Sequence, residues 1–195
     1  LSHARALLEG RPYGDIGFIY TNYNNFIGPV VEPPGLPLLI APALAVSGPG
    51  LVPVRVVMFA STLLFLWLAW RLVEPLAGRW MAVGVIVVSL AVFSQLHVAD
   101  GILSDLPFCA AIWCVIIAAN EEGPLSRGQL LTMAIAGAIA FTIRMAALAL
   151  LPAIAIMAVM RPRREWPGFM LVALVWVVTA ALVMFGLPTS TALAA

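Results

Sequence analysis

From Val54 to Phe185 the chain is a succession of apolar runs in which charged residues fall almost wholly at the breaks between runs. Each run is about as long as a helix needs to cross the hydrocarbon core of a bilayer, roughly 17–25 residues, or slightly shorter. Such runs cannot all be buried against one another in water. With 63% hydrophobic residues and only 10% charged, against about a quarter charged in a soluble domain, too little polar surface remains to cover a core. The excess apolar surface must face lipid, where every backbone N–H and C=O has to be satisfied internally. The expected fold is therefore all-α: a polytopic transmembrane helix bundle.

Residues 1–53 are the more polar part and read as a first extracytoplasmic loop with juxtamembrane helices. Leu1–Gly10 predicts a short amphipathic helix with Leu1, Ala4 and Leu8 on one face, an Arg5–Glu9 pair at i,i+4 and Gly10 as its stop. All three tyrosines (Tyr13, Tyr20, Tyr23) follow it, in a segment that suits the headgroup boundary. After Pro33-Pro34-Gly35, the run Leu36–Ser47 is too short to cross and contains Pro37 and Pro42. It predicts a surface helix.

Residues 54–187 then predict a transmembrane bundle of about six helices: Val54–Trp70, Trp80–Leu96, Leu106–Ala119, two helices within Gln129–Met160, and Phe169–Phe185. The stretch Gln129–Met160 is apolar except for Arg144. As one helix it would be about 48 Å long, well beyond a hydrocarbon core of about 30 Å. Two helices turning near Arg144 fit better. Residues 188–195 form a polar tail.

Cys109 and Cys114 lie in one apolar run, about 140° apart around a helix axis, which disfavours a disulfide. With a net charge of +1 and no basic run, nothing points to nucleic acid as a partner. With six crossings, Arg71, Arg79, Arg127, Arg161, Arg163 and Arg164 fall on one side, the cytoplasmic one by the positive-inside rule. Glu32, His97, Asp100, Asp105 and Arg144 fall on the other. Asp105 opens a run in Ser-Asp-Leu-Pro-Phe and suits a helix cap in its own right. Arg144 is the more telling residue, because an ionisable group inside an apolar run is costly unless it pairs or lines a path. Its fork matches phosphate oxygens. His97 and Asp100 flank a membrane exit and are secondary candidates.

The order HARALLEGRPYGD, VVEPPGLPLLIAPALAVSGPG, GILSDLPF and AGAIAFTIRMAALALLPAIAIM resembles the glycosyltransferase C superfamily. The likeness is to its branch of lipid A aminoarabinose transferases and protein O-mannosyltransferases. That resemblance implies an enzyme of the bacterial inner membrane, moving a sugar from a polyprenyl-phosphate donor to a lipid, protein or glycan acceptor on the extracytoplasmic face. Membrane lipid is implied as a further partner. Glu32, Asp105 and Arg144 match the family's substrate-binding positions: the E-x-P-type motif, the acid opening a later helix, and the basic residue at a helix turn. Some members also use a divalent metal ion, which makes Glu32 the candidate metal ligand. The family's main catalytic acid would precede Leu1, so the resemblance implies an N-terminal fragment without that acid. A transporter or flippase lined by the same charges is the alternative. Another is a non-catalytic membrane subunit that uses the small residues of Ala134–Ala138 for close helix contact. On the transferase reading the 195-residue chain alone transfers no sugar; turnover of a polyprenyl-phosphate sugar by the purified chain would sink that expectation.

Overall fold

The computed structural model describes residues 2–11, 33–48, 50–100, 105–120 and 123–185, with the backbone alone at 93–100, 145 and 184–185. Eight α-helices run in order among them: α1 (Ser2–Leu8), α2 (Gly35–Ser47), α3 (Leu51–Ala77), α4 (Arg79–Asp100), α5 (Asp105–Asn120), α6 (Arg127–Ile143), α7 (Leu150–Met160) and α8 (Trp166–Phe185). Short 3-10 segments, Met145–Ala149 and Arg163–Glu165, precede α7 and α8. No strand occurs among the described residues. The fold is all-α and of membrane type. Side chains that water would not tolerate stand open on its surface: Val46 is 89% exposed, Trp80 86% and Met160 80%. Two helices are long and apolar enough to cross a bilayer, Leu51–Ala77 and Arg163–Val183. Glu32, the loop tyrosines and residues 188–195 lie outside the described residues.

Helix α3 is longer than its apolar run suggests. It starts before Val54 because Pro53 falls in the first turn, where the missing N–H has no helical partner to lose. It continues past Trp70 because the next polar residues are bound along the helix itself. Trp70 Nε1 donates to Glu74 Oε2 at 2.7 Å, and the Arg71 guanidinium lies 5.9 Å from the Trp67 ring centre. Pro75 costs a single backbone bond in the last turn, and Gly78, at φ 84°, ends the helix and turns the chain straight into α4.

Helix α1 departs from its expected face and pairing. His3, Ala4 and Ala6 are buried, while Leu8 is 46% exposed. The helix lies on α2, with Ala4 in the same cluster as Ile40, Ala41, Leu44, Val54 and Met58. Small residues allow that approach where a leucine would hold the helices apart. Glu9 pairs with Arg11, whose Nη2 is 2.6 Å from its carboxylate, and not with Arg5. Gly10, at φ 66°, turns the chain back and brings Arg11 alongside.

The larger core joins α5, α6, α7 and α8. Phe169, Val172, Trp176 and Ala180 form a helical stripe on α8, facing Met133, Ala136 and Ala140 on α6. At its centre Trp176 is fully buried, and its Nε1–H is shared between the carbonyls of Met133 (3.1 Å) and Ala134 (3.3 Å). An indole donor in an apolar interior needs such a partner. Gly137 makes the room, since a Cβ there would fall 2.1 Å from the Trp176 ring. The small residues of Ala134–Ala138 thus serve a contact within the chain, which removes the observation that favoured a subunit packing on a partner.

The helices alternate in direction, and contacts mark two ends. Gly35 meets Thr142 at one end. Arg161 reaches Ala119 and Gly123 at the other, where Gly168 also packs on Leu130. Leu68 of α3 lines a cavity with Ser126 and Gln129, so the Arg71–Arg79 turn belongs to this second end. Replacing Gly137 by Ala is expected to lower stability by about 1–3 kcal/mol through overpacking. Thermal unfolding in detergent should recover part of that loss in the Gly137→Ala/Trp176→Phe pair, because the obstacle is a side chain.

Candidate functional site

Helix α6 begins with a complete capping box. The Gln129 N–H donates to Ser126 Oγ at 3.2 Å, and the Ser126 N–H donates to Gln129 Oε1 at 2.6 Å. At the far end the chain leaves the helix at Arg144, which takes an extended conformation (φ −148°, ψ 135°). Two backbone hydrogen bonds span the break. The Arg144 N–H still donates to the Ala140 carbonyl at 2.9 Å, and its own carbonyl accepts from Ala147 N–H at 3.1 Å to start the 3-10 segment. The extended residue projects the guanidinium out of the apolar run at the end of the bundle.

Asp105 meets it there. As the first residue of α5 it sits at the positive end of that helix dipole, and its Oδ1 accepts from Arg144 Nη1 across 39 residues of sequence. The two side chains are 42% and 45% exposed, so as a stabilising ion pair this contact contributes at most about 1 kcal/mol. Its greater effect is on orientation. A guanidinium has five N–H donors in one plane, and Asp105 engages Nη1 while nearly half of the side chain remains open. The result is a fixed cation with donors to spare.

A third element approaches the same point. A Cβ on Gly35 would fall 2.5–2.6 Å from the backbone carbon and oxygen and the Oγ1 of Thr142, two residues before Arg144. The Pro33-Pro34-Gly35 start of α2 is therefore in backbone contact with the end of α6. The sequence reading missed this contact; a glycine directly after two prolines, at a helix start, is the signal that marks it. Cys109 stands one turn after Asp105 and is half-buried.

An apolar groove of about 440 Å³ runs between α7 and α8. Leu151, Ile154 and Ala158 line one wall, and Phe169, Ala173 and Val177 the other. Its lining runs along α7 from Leu151, in the helix that follows Arg144, to Val159 and Trp166 at the opposite end.

Of the residues singled out in the sequence, the structure brings Asp105 and Arg144 together. Glu32 lies outside the described residues. His97 and Asp100 belong to the last turn of α4, which ends five residues before Asp105, and their side chains lie outside the described part. Among the described residues no three His, Cys, Asp or Glu side chains group to hold a metal ion. Asp105, the described carboxylate at the site, is already engaged by a cation.

The model of a family described as dolichyl-phosphate-mannose-protein mannosyltransferase matches residues 31–188. No curated protein and no solved structure gives a significant match to the chain. The matched region takes in α2 through α8, and with them Gly35, Asp105, Arg144 and the groove. The Gly35 contact yields its own expectation. Gly35→Ala should lower the unfolding temperature in detergent, and trimming Thr142 to Ala should not restore it. Two of the three nearest atoms are backbone, unlike the Trp176 ring beside Gly137.

Proposed function

Because the chain belongs to the dolichyl-phosphate-mannose-protein mannosyltransferase family, we propose that its Asp105–Arg144 end receives the phosphate of a polyprenyl-phosphate sugar. The coarse activity follows from the family: a membrane glycosyltransferase of the mannosyltransferase type. The finer reading rests on one observation above all. Arg144 stands at the break between α6 and α7, held by Asp105 and half open, and α7 beyond it forms one wall of the apolar groove.

A polyprenyl-phosphate sugar has a long apolar chain, a charged phosphate at its end, and a sugar beyond. The groove supplies an apolar seat of the size that ligand pockets take, about 300–1,000 Å³. Arg144, in the segment that leads into α7, supplies the phosphate partner. In transfer, the bond between the sugar's C1 and the phosphate oxygen breaks, and its electron pair stays with the phosphate. The acceptor oxygen bonds to C1 and gives up its proton to a carboxylate. A guanidinium already in place where the negative charge grows lowers the barrier without having to reorganise. Asp105 is a positioning residue in this scheme: it holds the fork and touches no reacting atom.

Glu32 is a further candidate, because it precedes by three residues the glycine that abuts Thr142. It is the group to orient an acceptor or to hold a divalent ion where one is used; no step here is routed through such an ion. The remaining features of the reading are a multi-pass chain in the bacterial inner membrane, the site on its extracytoplasmic face, and an acceptor that is a lipid, protein or glycan. The Arg-rich opposite end supports that orientation.

Donor binding tests the reading without requiring turnover. The purified chain, titrated with polyprenyl phosphate and followed by native mass spectrometry, should lose affinity about 10- to 100-fold on Arg144→Gln, the range of a charge-assisted hydrogen bond. Arg144→Lys should fall between, since it keeps the charge and loses the fork. Asp105→Asn should weaken binding less than Arg144→Gln. Equal affinity in wild type and Arg144→Gln would remove Arg144 from the site.

A further inference from the structure

The end of the bundle opposite Arg144 carries five exposed arginines, Arg71, Arg79, Arg127, Arg163 and Arg164. None of them forms an ion pair with a described residue. The described acids at this end, Glu74 and Glu165, pair with none of these five. Glu74 accepts from Trp70 Nε1. Glu165 has a side chain only 9% exposed and lies 3.9 Å from Arg161, which is itself bound to the carbonyls of Gly123 and Ala119. Glu121 and Glu122 lie outside the described residues; even with both counted, carboxylates remain fewer than guanidiniums here.

The arginines are interleaved with indoles. The Arg71 guanidinium lies 5.9 Å from the Trp67 ring centre, and that of Arg163 lies 5.9 Å from the Trp166 ring centre. Trp80, 86% exposed, adjoins Arg79. A soluble protein or a nucleic acid would meet the charges and leave the indoles and the apolar helix surface directly beyond them in contact with water. A bilayer interface takes both in one layer, indoles at headgroup depth and guanidiniums against phosphate.

We propose that these two turns, α3–α4 and α7–α8, form a binding surface for anionic phospholipid headgroups of the leaflet at this end. Their phosphates complete the arginines that no described residue pairs. The proposal rests on the membrane placement of the bundle and not on the chemistry at Arg144. A basic residue near an anionic membrane surface contributes about fivefold in affinity, and the contribution is screened by salt.

The test uses the purified chain in neutral detergent, titrated with phosphatidylglycerol or phosphatidylcholine and read by native mass spectrometry and unfolding temperature. Phosphatidylglycerol should bind at least about tenfold more tightly and raise the unfolding temperature, with both effects fading at high salt. Arg163→Gln/Arg164→Gln should cost on the order of 25-fold in phosphatidylglycerol affinity, with phosphatidylcholine binding unchanged. Arg71→Gln/Arg79→Gln should do the same on the other turn, and it decides the matter if the first pair loses helicity by circular dichroism. Equal binding of the two lipids overturns the proposal, as does a phosphatidylglycerol preference that survives both double variants. Full competition by inorganic phosphate overturns it as well, since that marks a site for the free ion and not for a headgroup. Polyprenyl phosphate binding that responds to Arg144→Gln but not to these variants keeps the two readings separate.

Discussion

In a hydrocarbon environment the backbone has nothing but itself to bond to, and the architecture follows from that constraint. Ladders of i→i−4 bonds are the default, so any departure from them needs a local substitute. The chain departs within its longest apolar run at one residue, Arg144, and the substitutes are visible: one hydrogen bond back to Ala140 and one forward from Ala147 close the gap. What the break contributes is the placement of the side chain. A continuous helix through Gln129–Met160 would either overshoot the bilayer or carry the guanidinium inside it. The break avoids both and sets a cation at the end of the bundle, half open and beside Asp105.

Helix α5 is fastened at both ends by arginines, one at that break and one beyond it. At its start, Asp105 receives Arg144; at its finish, the carbonyl of Ala119 and that of Gly123 beyond it receive Arg161. The second contact satisfies one of the carbonyls that every helix leaves open at its C-terminus. Between these contacts the helix packs through Phe108, Ala111, Val115 and Ala118, and Trp113 meets the Phe65 ring of α3 edge-on. The exposed ion pair contributes little stability by itself. What holds Asp105 opposite Arg144 is the buried stripe, with Trp176 locked between the Met133 and Ala134 carbonyls and the space at Gly137.

The fold class was legible in the sequence because it depends on a sum over many residues: apolar runs with charges at their breaks leave helices as the backbone solution. The break at Arg144 was legible too, since length and a single charge oppose a straight helix there. The true ends of α3 were not, because apolarity does not mark them. Trp67 with Arg71 and Trp70 with Glu74 carry the helix beyond the apolar run, by contacts four residues apart that a hydropathy count passes over. The pairing of Glu9 with Arg11 was hidden for a similar reason: it depends on the positive φ of Gly10, not on helical spacing. In the candidate site, residue types suggested Asp105 and Arg144, but their direct contact spans 39 positions and has no local signature. Neither does the approach of Gly35 to Thr142.

Arginine serves three physically distinct purposes in this chain, and the surroundings decide which. Arg161 is partly buried, faces carbonyls and is spent on structure. The arginines of the two turns beside it are exposed, unpaired among the described residues and set among indoles, where they face outward to whatever carries negative charge. Arg144 lies between these extremes. Fully paired, it would have no donor left for a ligand; wholly unpaired, a side chain with its rotamer freedom would pay the cost of ordering each time a phosphate arrived. One carboxylate on one nitrogen fixes the fork and leaves the rest of it open. That intermediate state, more than the presence of a charge in an apolar run, is what distinguishes a binding cation from a structural one.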